Sequence, residues 1–439
     1  MIPSRFNVTV ADFPGAGRHI LYNTRSQAQV VIDDELRGAI AALPAVPLRP
    51  ETAKAFGQLE KMGFLVPSEE ADDKALEAFF AGVRDNNATL RPTVLTTYAC
   101  NFGCVYCVEE GLPKAPPMTE SAAEVAAGYI IDQFRRFGSR AIALAFYGGE
   151  PLLNMTAVRT VARMLKRFSE IEAAPFGFEL STNGSLLTPA VVEELKALGL
   201  AGAKITLDGP RDVHDRYRPF RNGRGTFDVL LENIEAAAGE IEIKIEVNVD
   251  TGNEARIEEL LDTLAGRGLH RRIHELIFCP ITPTPRDRDL ARPSTEVVCA
   301  PLTLAWARTH VALQRLALEK GFPVDTRIVG HLCEMLAKRT HFIVDPAGKL
   351  FRCGGLVGRD EFSFGRVSGP EEDRFMGKEL WRRCAGCAYA PLCGHGCPFA
   401  AFVRYGDPLR LNCAKESMEY AVREGLKLTY IRKQGKPTA

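Results

Sequence analysis

The chain has 439 residues, 46% of them hydrophobic, with 55 Lys+Arg against 55 Asp+Glu. That is enough for two or three domains with their own cores, and the balanced charge excludes nucleic-acid or membrane-surface binding driven by bulk charge. No run of about 18 apolar residues could span a bilayer, and Met1-Ile2-Pro3-Ser4-Arg5-Phe6 lacks the order of a secretory signal, so a cytoplasmic location with no membrane and no nucleic-acid partner is expected.

Residues 1–90 read as a small separate unit. His19 to Tyr22 and Val30 to Ile32 are apolar runs joined by the polar stretch Asn23-Thr24-Arg25-Ser26-Gln27, which predicts a hairpin. Asp33 and Asp34 are placed to cap a following helix, and helices are expected near 52–62 and 72–85. Gly63-Phe64-Leu65-Val66-Pro67 reads as a short strand stopped by its proline. A hairpin with short helices is winged-helix-like; the alternative is an extension that only packs on the core.

Over 91–290 strand-like apolar runs alternate with helical stretches. Strands are expected at Thr93–Thr97, Ile142–Tyr147, Gly177–Leu180, Ala203–Leu207, Ile241–Val249 and Ile273–Phe278, with helices between them, for example at 154–170, 188–198, 226–238 and 254–266. Six β/α units in series predict an α/β fold with a parallel sheet and helices outside. Six is short of the eight of a closed barrel, so a partial (β/α)6 barrel is expected, its site at the C-terminal ends of the strands. Residues 291–330 form a bridge with one helix over 295–320, and 331–439 is rich in Cys and Gly, with short strands before a helix near 414–430. The basic run Arg423, Lys427, Arg432, Lys433 and Lys436 reads as a solvated tail.

Twelve cysteines in a reducing compartment point to metal or redox chemistry rather than disulfides. Three lie between 100 and 107, none between 108 and 278, and seven between 333 and 413, with Cys279 and Cys299 alone. The first group is Cys100-Asn101-Phe102-Gly103-Cys104-Val105-Tyr106-Cys107, a CxxxCxxC spacing just after the first barrel strand. Three thiolates on one loop can hold three irons of a 4Fe–4S cube. Such clusters normally take four cysteines, so a compact triplet suggests a fourth iron left open to chelate a small molecule. Zinc is the alternative, but it wants four ligands, usually in paired CxxC knuckles.

This spacing, with Tyr106 before the last cysteine, resembles the signature of the radical S-adenosylmethionine (SAM) superfamily. The resemblance implies that SAM binds the open iron through its amino and carboxylate groups. An electron from the cluster then cleaves the sulfonium, and a 5′-deoxyadenosyl radical abstracts a substrate hydrogen, while the protein positions the cofactor and excludes water. Gly148-Gly149-Glu150-Pro151, ending the second strand, resembles the GGEP element that binds the SAM amino group; alone it would read as a plain turn. Ser181-Thr182-Asn183-Gly184 ends the third strand. Thr206-Leu207-Asp208-Gly209-Pro210 ends the fourth, followed by His214, Asp215, Arg218 and Pro219, a stretch very like the matching segment of peptide-modifying members. By that likeness Ser181, Thr206 and Arg218 are candidate contacts to the SAM ribose and carboxylate. Asn183 and Asp208 are candidates too, and could equally be turn-formers at strand ends.

Cys333, Cys353, Cys384, Cys387, Cys393, Cys397 and Cys413 follow the pattern C-x14-G-x4-C, gap, C-x2-C-x5-C-x3-C, gap, C, with Gly348 as the internal glycine. Val344-Asp345-Pro346-Ala347-Gly348-Lys349-Leu350 supplies a turn and strand leading into Cys353. The pattern is similar to the seven-cysteine SPASM domain of radical SAM enzymes. The resemblance implies two auxiliary 4Fe–4S clusters, hence three in all: one on Cys333, Cys353 and Cys397, the other on Cys384, Cys387, Cys393 and Cys413. Interleaved ligands would staple the domain together; a pair of zinc sites is the alternative. The first set lacks a fourth thiolate, and Arg327 to Leu332 offers none. Cys299 and Cys279 are upstream candidates, and an open iron able to bind a substrate thiolate is the expectation. His395, like those two lone cysteines, reads as a packed or surface residue.

SPASM enzymes usually modify peptides or proteins, and a winged-helix-like unit fits a leader-recognition module that takes the leader as an added strand. The expectation is a maturase of a ribosomally synthesised precursor peptide that forms a thioether or carbon–carbon crosslink. The auxiliary clusters would accept an electron, and a reductant such as flavodoxin or ferredoxin would supply the first. An anaerobic sulfatase-maturating enzyme, oxidising Cys or Ser to formylglycine, is the alternative among enzymes. In that family an Asp serving as base follows the GxxxxC cysteine, where this chain has Gly354. A non-catalytic Fe–S or zinc protein of regulation or electron transfer is the alternative of another class; the GGEP element and CxxxCxxC argue against it. The sequence alone identifies no catalytic acid or base.

Overall fold

The computed structural model describes residues 1–44, 50–109, 115–281, 303–328 and 332–434. The first strands are β1 (Ile2–Pro3), β2 (Asn7–Val10), β3 (Arg18–Asn23), β4 (Gln29–Asp33) and β5 (Leu65–Val66). β3 and β4 are the expected hairpin, but β2 pairs antiparallel with β3, so the unit holds a three-stranded sheet in the order β2-β3-β4. β2 escapes a search for apolar runs because it alternates, Val8 and Val10 being buried and Asn7 and Thr9 only half-buried. Asp33 caps the helix Asp34–Ala41 by accepting the Leu36 N–H at 2.9 Å, whereas Asp34 bonds the His19 ring instead. Helices Pro50–Lys61 and Glu69–Asp85 follow.

This unit is not separate from the rest of the chain. Val8, Val10, Ile20 and Tyr22 share an apolar cluster with Tyr389, Leu392, Val422 and Leu426 of the C-terminal part. Phe80 stacks on Trp381 with ring centroids 4.5 Å apart. Burying each such side chain contributes roughly 1.5–3 kcal/mol, so the two parts stabilise one another. The basic run is likewise no solvated tail among the described residues. Arg423, Lys427, Arg432 and Lys433 lie on the helix Lys415–Lys433, and Arg423 and Arg432 donate to the Thr9 and Val324 carbonyls at 2.9 and 3.1 Å; Lys436 lies outside the described residues.

The middle of the chain forms six parallel strands side by side in chain order: β6 (Thr89–Leu95), β7 (Ala141–Tyr147), β8 (Phe176–Thr182), β9 (Leu200–Thr206), β10 (Glu242–Val249) and β11 (Glu275–Pro280). Their outward side chains, such as Ile142, Leu144 and Phe146 of β7, pack in one core with Ala126, Ile130, Val158 and Leu165 of the helices Glu120–Phe137 and Met155–Glu172. This is the expected partial barrel. Its sheet continues past β6, which β12 (His341–Val344) joins in parallel, followed antiparallel by β13 (Lys349–Phe351) and β14 (Gly365–Arg366). The cysteine-rich part is thereby tied to the barrel edge by main-chain hydrogen bonds, which also cover that edge. The helix Leu304–Glu319 is the described part of the bridge, and 282–302, with Cys299, lies outside the described residues. No helix among the described residues is long and apolar enough to cross a membrane.

Candidate active site

Beyond β6 the chain turns into the Cys100–Cys107 loop, which is held from two sides. The Gly149 and Glu150 N–H groups donate to the Thr97 and Ala99 carbonyls at 3.0 and 2.9 Å. A Cβ on Gly148 would lie 2.4 Å from the Thr97 oxygen, and one on Gly149 2.3 Å from that of Ala99. The glycine pair is therefore required by contact with the chain's own cluster loop. On the other side Gly103 and Val105 donate to the Pro219 and Tyr217 carbonyls at 2.8 and 3.0 Å, and Arg221 Nε reaches the Cys100 carbonyl at 2.7 Å. Cys100, Cys104 and Cys107 end up on one wall of a cleft of about 430 Å³ at the C-terminal ends of the strands. Burial pushes the Cys104 thiol up to about 11, against the pull of Arg218, and raises Cys100 as well. An iron bound here must displace those protons, as thiolate ligation requires.

The strand-end residues divide into two kinds. Tyr106, Gly148, Gly149, Ser181, Asn183, Thr206 and Arg218 line the cleft. Glu150 and Asp208 are not among its lining residues, because their carboxylates are fully buried and used internally. Glu150 Oε1 accepts from Thr182 Oγ1 and the Leu152 N–H at 2.8 and 3.0 Å, and Oε2 accepts the Asn183 N–H at 2.7 Å, stitching the end of β7 to β8. Burial raises its pKa despite these donors. Asp208 Oδ1 accepts the Asn248 N–H at 3.0 Å and Oδ2 the Tyr106 hydroxyl, while burial pushes its carboxyl up to about 6. His214 and Asp215 are also internal: the His214 ring joins the Asp208 N–H and Thr226, and Asp215 accepts the N–H groups of Thr226 and Phe227 at 2.7 and 2.8 Å.

Arg218 shows what the cleft can take. Its guanidinium is nine-tenths buried, bonds the Tyr106 oxygen at 2.7 Å, and leaves Nε with no hydrogen-bond partner. A buried cation with a spare donor fits a carboxylate-bearing ligand such as SAM. Gly354, Gly355 and Phe399 of the cysteine-rich part line the same cleft.

Sequence reasoning missed Lys204, Glu246 and Asn248, which also line the cleft. Lys204 pairs with Glu246 at 2.6 Å, and Cys279 donates to the same carboxylate at 3.6 Å. A signal was present: both charged residues are flanked by apolar, buried neighbours, Ala203 and Ile205 on β9 and Ile245 and Val247 on β10, so they point inward near the strand ends.

In the cysteine-rich part the thiols stand in groups. Cys384 feels the charges of Cys387 and Cys413, and Cys393 those of Cys384 and Cys387. Cys353 feels Cys397, and Cys333 and Cys353 pack against one apolar cluster around Leu356 and Phe375. Burial pushes Cys353 and Cys393 up to about 11. Among the described residues no three His, Cys, Asp or Glu side chains stand at the spacing of a single-ion site.

Residues 94–271 match the model of the radical SAM superfamily. Over 328 residues the chain is 28% identical to a mycofactocin maturase of Mycolicibacterium smegmatis, covering 70% of this chain and 77% of that one. The fold is similar to that of anSMEcpe with bound AdoMet and the Kp18Cys peptide, with a TM-score of 0.59 at 16% identity over 78% of this chain and 99% of that one. It is also similar to that of Streptococcus suis SuiB bound to precursor peptide SuiA, with a TM-score of 0.53 at 12% identity over 94% and 99%. Residues 94–271 therefore carry a radical SAM domain. The chain is a radical SAM enzyme with a SPASM-type C-terminal extension, and its family implies SAM and a 4Fe–4S cluster as cofactors.

Proposed function

We propose that the protein matures a ribosomally synthesised peptide, taking a precursor with a leader and crosslinking it through a thioether or carbon–carbon bond. The observation that carries this reading is the shared cleft: the cysteine triplet and Arg218 line it together with Gly354, Gly355 and Phe399 from the seven-cysteine part. A substrate residue lying beside bound SAM would also lie beside the part that would hold the auxiliary clusters. SAM bound at a cluster on Cys100, Cys104 and Cys107 would supply the 5′-deoxyadenosyl radical that removes a hydrogen atom from that residue. Arg218 and Tyr106 hold its carboxylate end, and Gly148, Gly149, Ser181, Asn183 and Thr206 shape the space around it. Glu246, steadied by Lys204, takes the proton released as the crosslink forms. The two SPASM cysteine sets would hold clusters able to take the remaining electron, and a flavodoxin or ferredoxin would supply the initiating one.

The N-terminal unit serves the leader. In the sheet β2-β3-β4 the outer strands are β2 and β4, and the C-terminal helix reaches over β2 through Arg423. A leader strand would add along Gln29–Asp33 of β4. The likeness to SuiB, whose structure holds a precursor peptide, supports this reading.

The sulfatase-maturating alternative has the cleft against it. Gly354 lies in the cleft wall where that family carries its Asp base, and glycine has no group to take a proton. The test is anaerobic incubation with SAM, dithionite and a short precursor encoded beside the gene. The expected result is 5′-deoxyadenosine released in step with loss of a hydrogen pair from the precursor. An unchanged precursor, together with formylglycine formed on a sulfatase peptide, would overturn the reading.

A further inference from the structure

The two SPASM cysteine sets are unequal. Cys384, Cys387, Cys393 and Cys413 supply four thiolates, and Cys333, Cys353 and Cys397 only three. A 4Fe–4S cluster on the second set needs a fourth donor or leaves one iron to solvent or substrate.

His395 sits between the sets, in Cys393-Gly394-His395-Gly396-Cys397. It is only 3% exposed, and neither ring nitrogen has a hydrogen-bond partner. Burying an imidazole with both nitrogens unsatisfied costs on the order of 1–3 kcal/mol. A native protein retains such a group where something absent from the apo-chain completes it. Its backbone is shaped to aim it inward. Gly394 and Gly396 have φ of +67° and +92°, values that favour glycine, and the His395 and Gly396 N–H groups both bond the Cys393 carbonyl, at 2.8 and 3.2 Å. His395 lines a pocket of about 60 Å³ together with Cys333, the first member of the incomplete set, and with Cys393 of the complete one. Two residues further along is Cys397, a second member. The Leu409 carbonyl approaches the ring without reaching hydrogen-bond geometry. A metal-ligating imidazole commonly has such an outer partner for its second N–H.

We propose that His395 is the fourth ligand of the auxiliary cluster on Cys333, Cys353 and Cys397, bound through one ring nitrogen. The inference rests on the SPASM reading of those cysteines. It replaces the open iron expected from sequence, so this cluster transfers electrons without binding the substrate thiolate. A neutral nitrogen in place of a thiolate also raises the cluster's reduction potential, as it does where His replaces Cys elsewhere.

The test uses the full chain with Cys100, Cys104 and Cys107 changed to Ala, so that only auxiliary clusters remain. After anaerobic reconstitution, about eight irons per chain establish that both auxiliary clusters are present; about four or fewer would fail the SPASM reading rather than the ligand assignment. The reduced clusters are then examined by pulsed electron paramagnetic resonance with 15N-histidine labelling. The expected result is a directly bonded histidine nitrogen, lost in His395→Ala, and replaced in His395→Cys by an all-thiolate cluster of lower potential at unchanged iron content. The labelled parent protein gives an answer even if a variant fails to fold. Eight irons with no histidine nitrogen coupling would overturn the proposal.

Discussion

Arg218 and Tyr106 meet at the mouth of the barrel, where Nη1 donates to the phenol oxygen at 2.7 Å while the phenol donates to the buried carboxylate of Asp208. The relay joins the cysteine loop to the segment after β9 and leaves Arg218, which lines the cleft, with its Nε donor unpaired. A charge-assisted hydrogen bond contributes about 1.5–3 kcal/mol. Arg218→Ala should therefore raise the Kd for SAM about 10- to 100-fold at equal iron content. Equilibrium binding under anaerobic conditions measures this, and an unchanged Kd would confine Arg218 to holding the loop.

Glu150 resembles a cofactor ligand in sequence and acts as a clamp in the structure. All three of its partners, Thr182 Oγ1 and the N–H groups of Leu152 and Asn183, donate to it. Glu150→Gln sets an amide N–H₂ against donors, and about 1–3 kcal/mol of stability should be lost. Chemical denaturation of the apo-protein measures the loss. An isostable variant would show that the carboxylate waits for a ligand instead.

The β4 edge of the N-terminal sheet, which pairs with no further strand among the described residues, gives a positional test. Along an antiparallel edge alternate residues turn their N–H groups outward. Proline at successive positions from Gln29 to Ile32 should weaken leader binding at the outward positions, by about fivefold for each lost main-chain bond of about 1 kcal/mol. Uncoupled SAM cleavage should persist throughout. Deleting the unit outright is a poorer test, because it would expose Tyr389, Leu392, Val422 and Leu426.

Much of the barrel was legible because its apolar runs and helical periods alternate without interruption. All six strands were expected within a few residues of where they lie. The first was expected too late, from Thr93, because Pro92 falls inside it and proline signals a strand boundary. The structure accommodates it: between the pairs Leu90↔Ile142 and Thr93↔Ala145 the ladder to β7 is interrupted, and the Arg91 N–H bonds the Thr340 carbonyl instead. Of the site, cysteine spacing and strand-end motifs were readable because they are local. Contacts made across the fold were not. Nothing in GGEP says that its Glu is consumed by Thr182 and Asn183, and nothing near Lys204 announces Glu246, its partner 42 positions away. The shared core between the N-terminal sheet and the C-terminal helix is of the same kind.

Glu246 is the cleft carboxylate to which the proposed reaction gives the substrate proton. Glu246→Gln should lower peptide modification by about 10²- to 10⁴-fold, the usual contribution of a general base. SAM cleavage without substrate turnover should continue. Chromatography of 5′-deoxyadenosine beside mass spectrometry of the peptide separates the two, and parallel loss of both would place Glu246 in SAM binding.

The central claim is that Cys100, Cys104 and Cys107 hold the cluster that activates SAM. The most direct measurement compares iron content and 5′-deoxyadenosine release in the anaerobically prepared protein and in its triple Cys→Ala variant. Iron should fall from about 12 to about eight per chain, with 5′-deoxyadenosine formation abolished. Continued formation in the triple variant would contradict it.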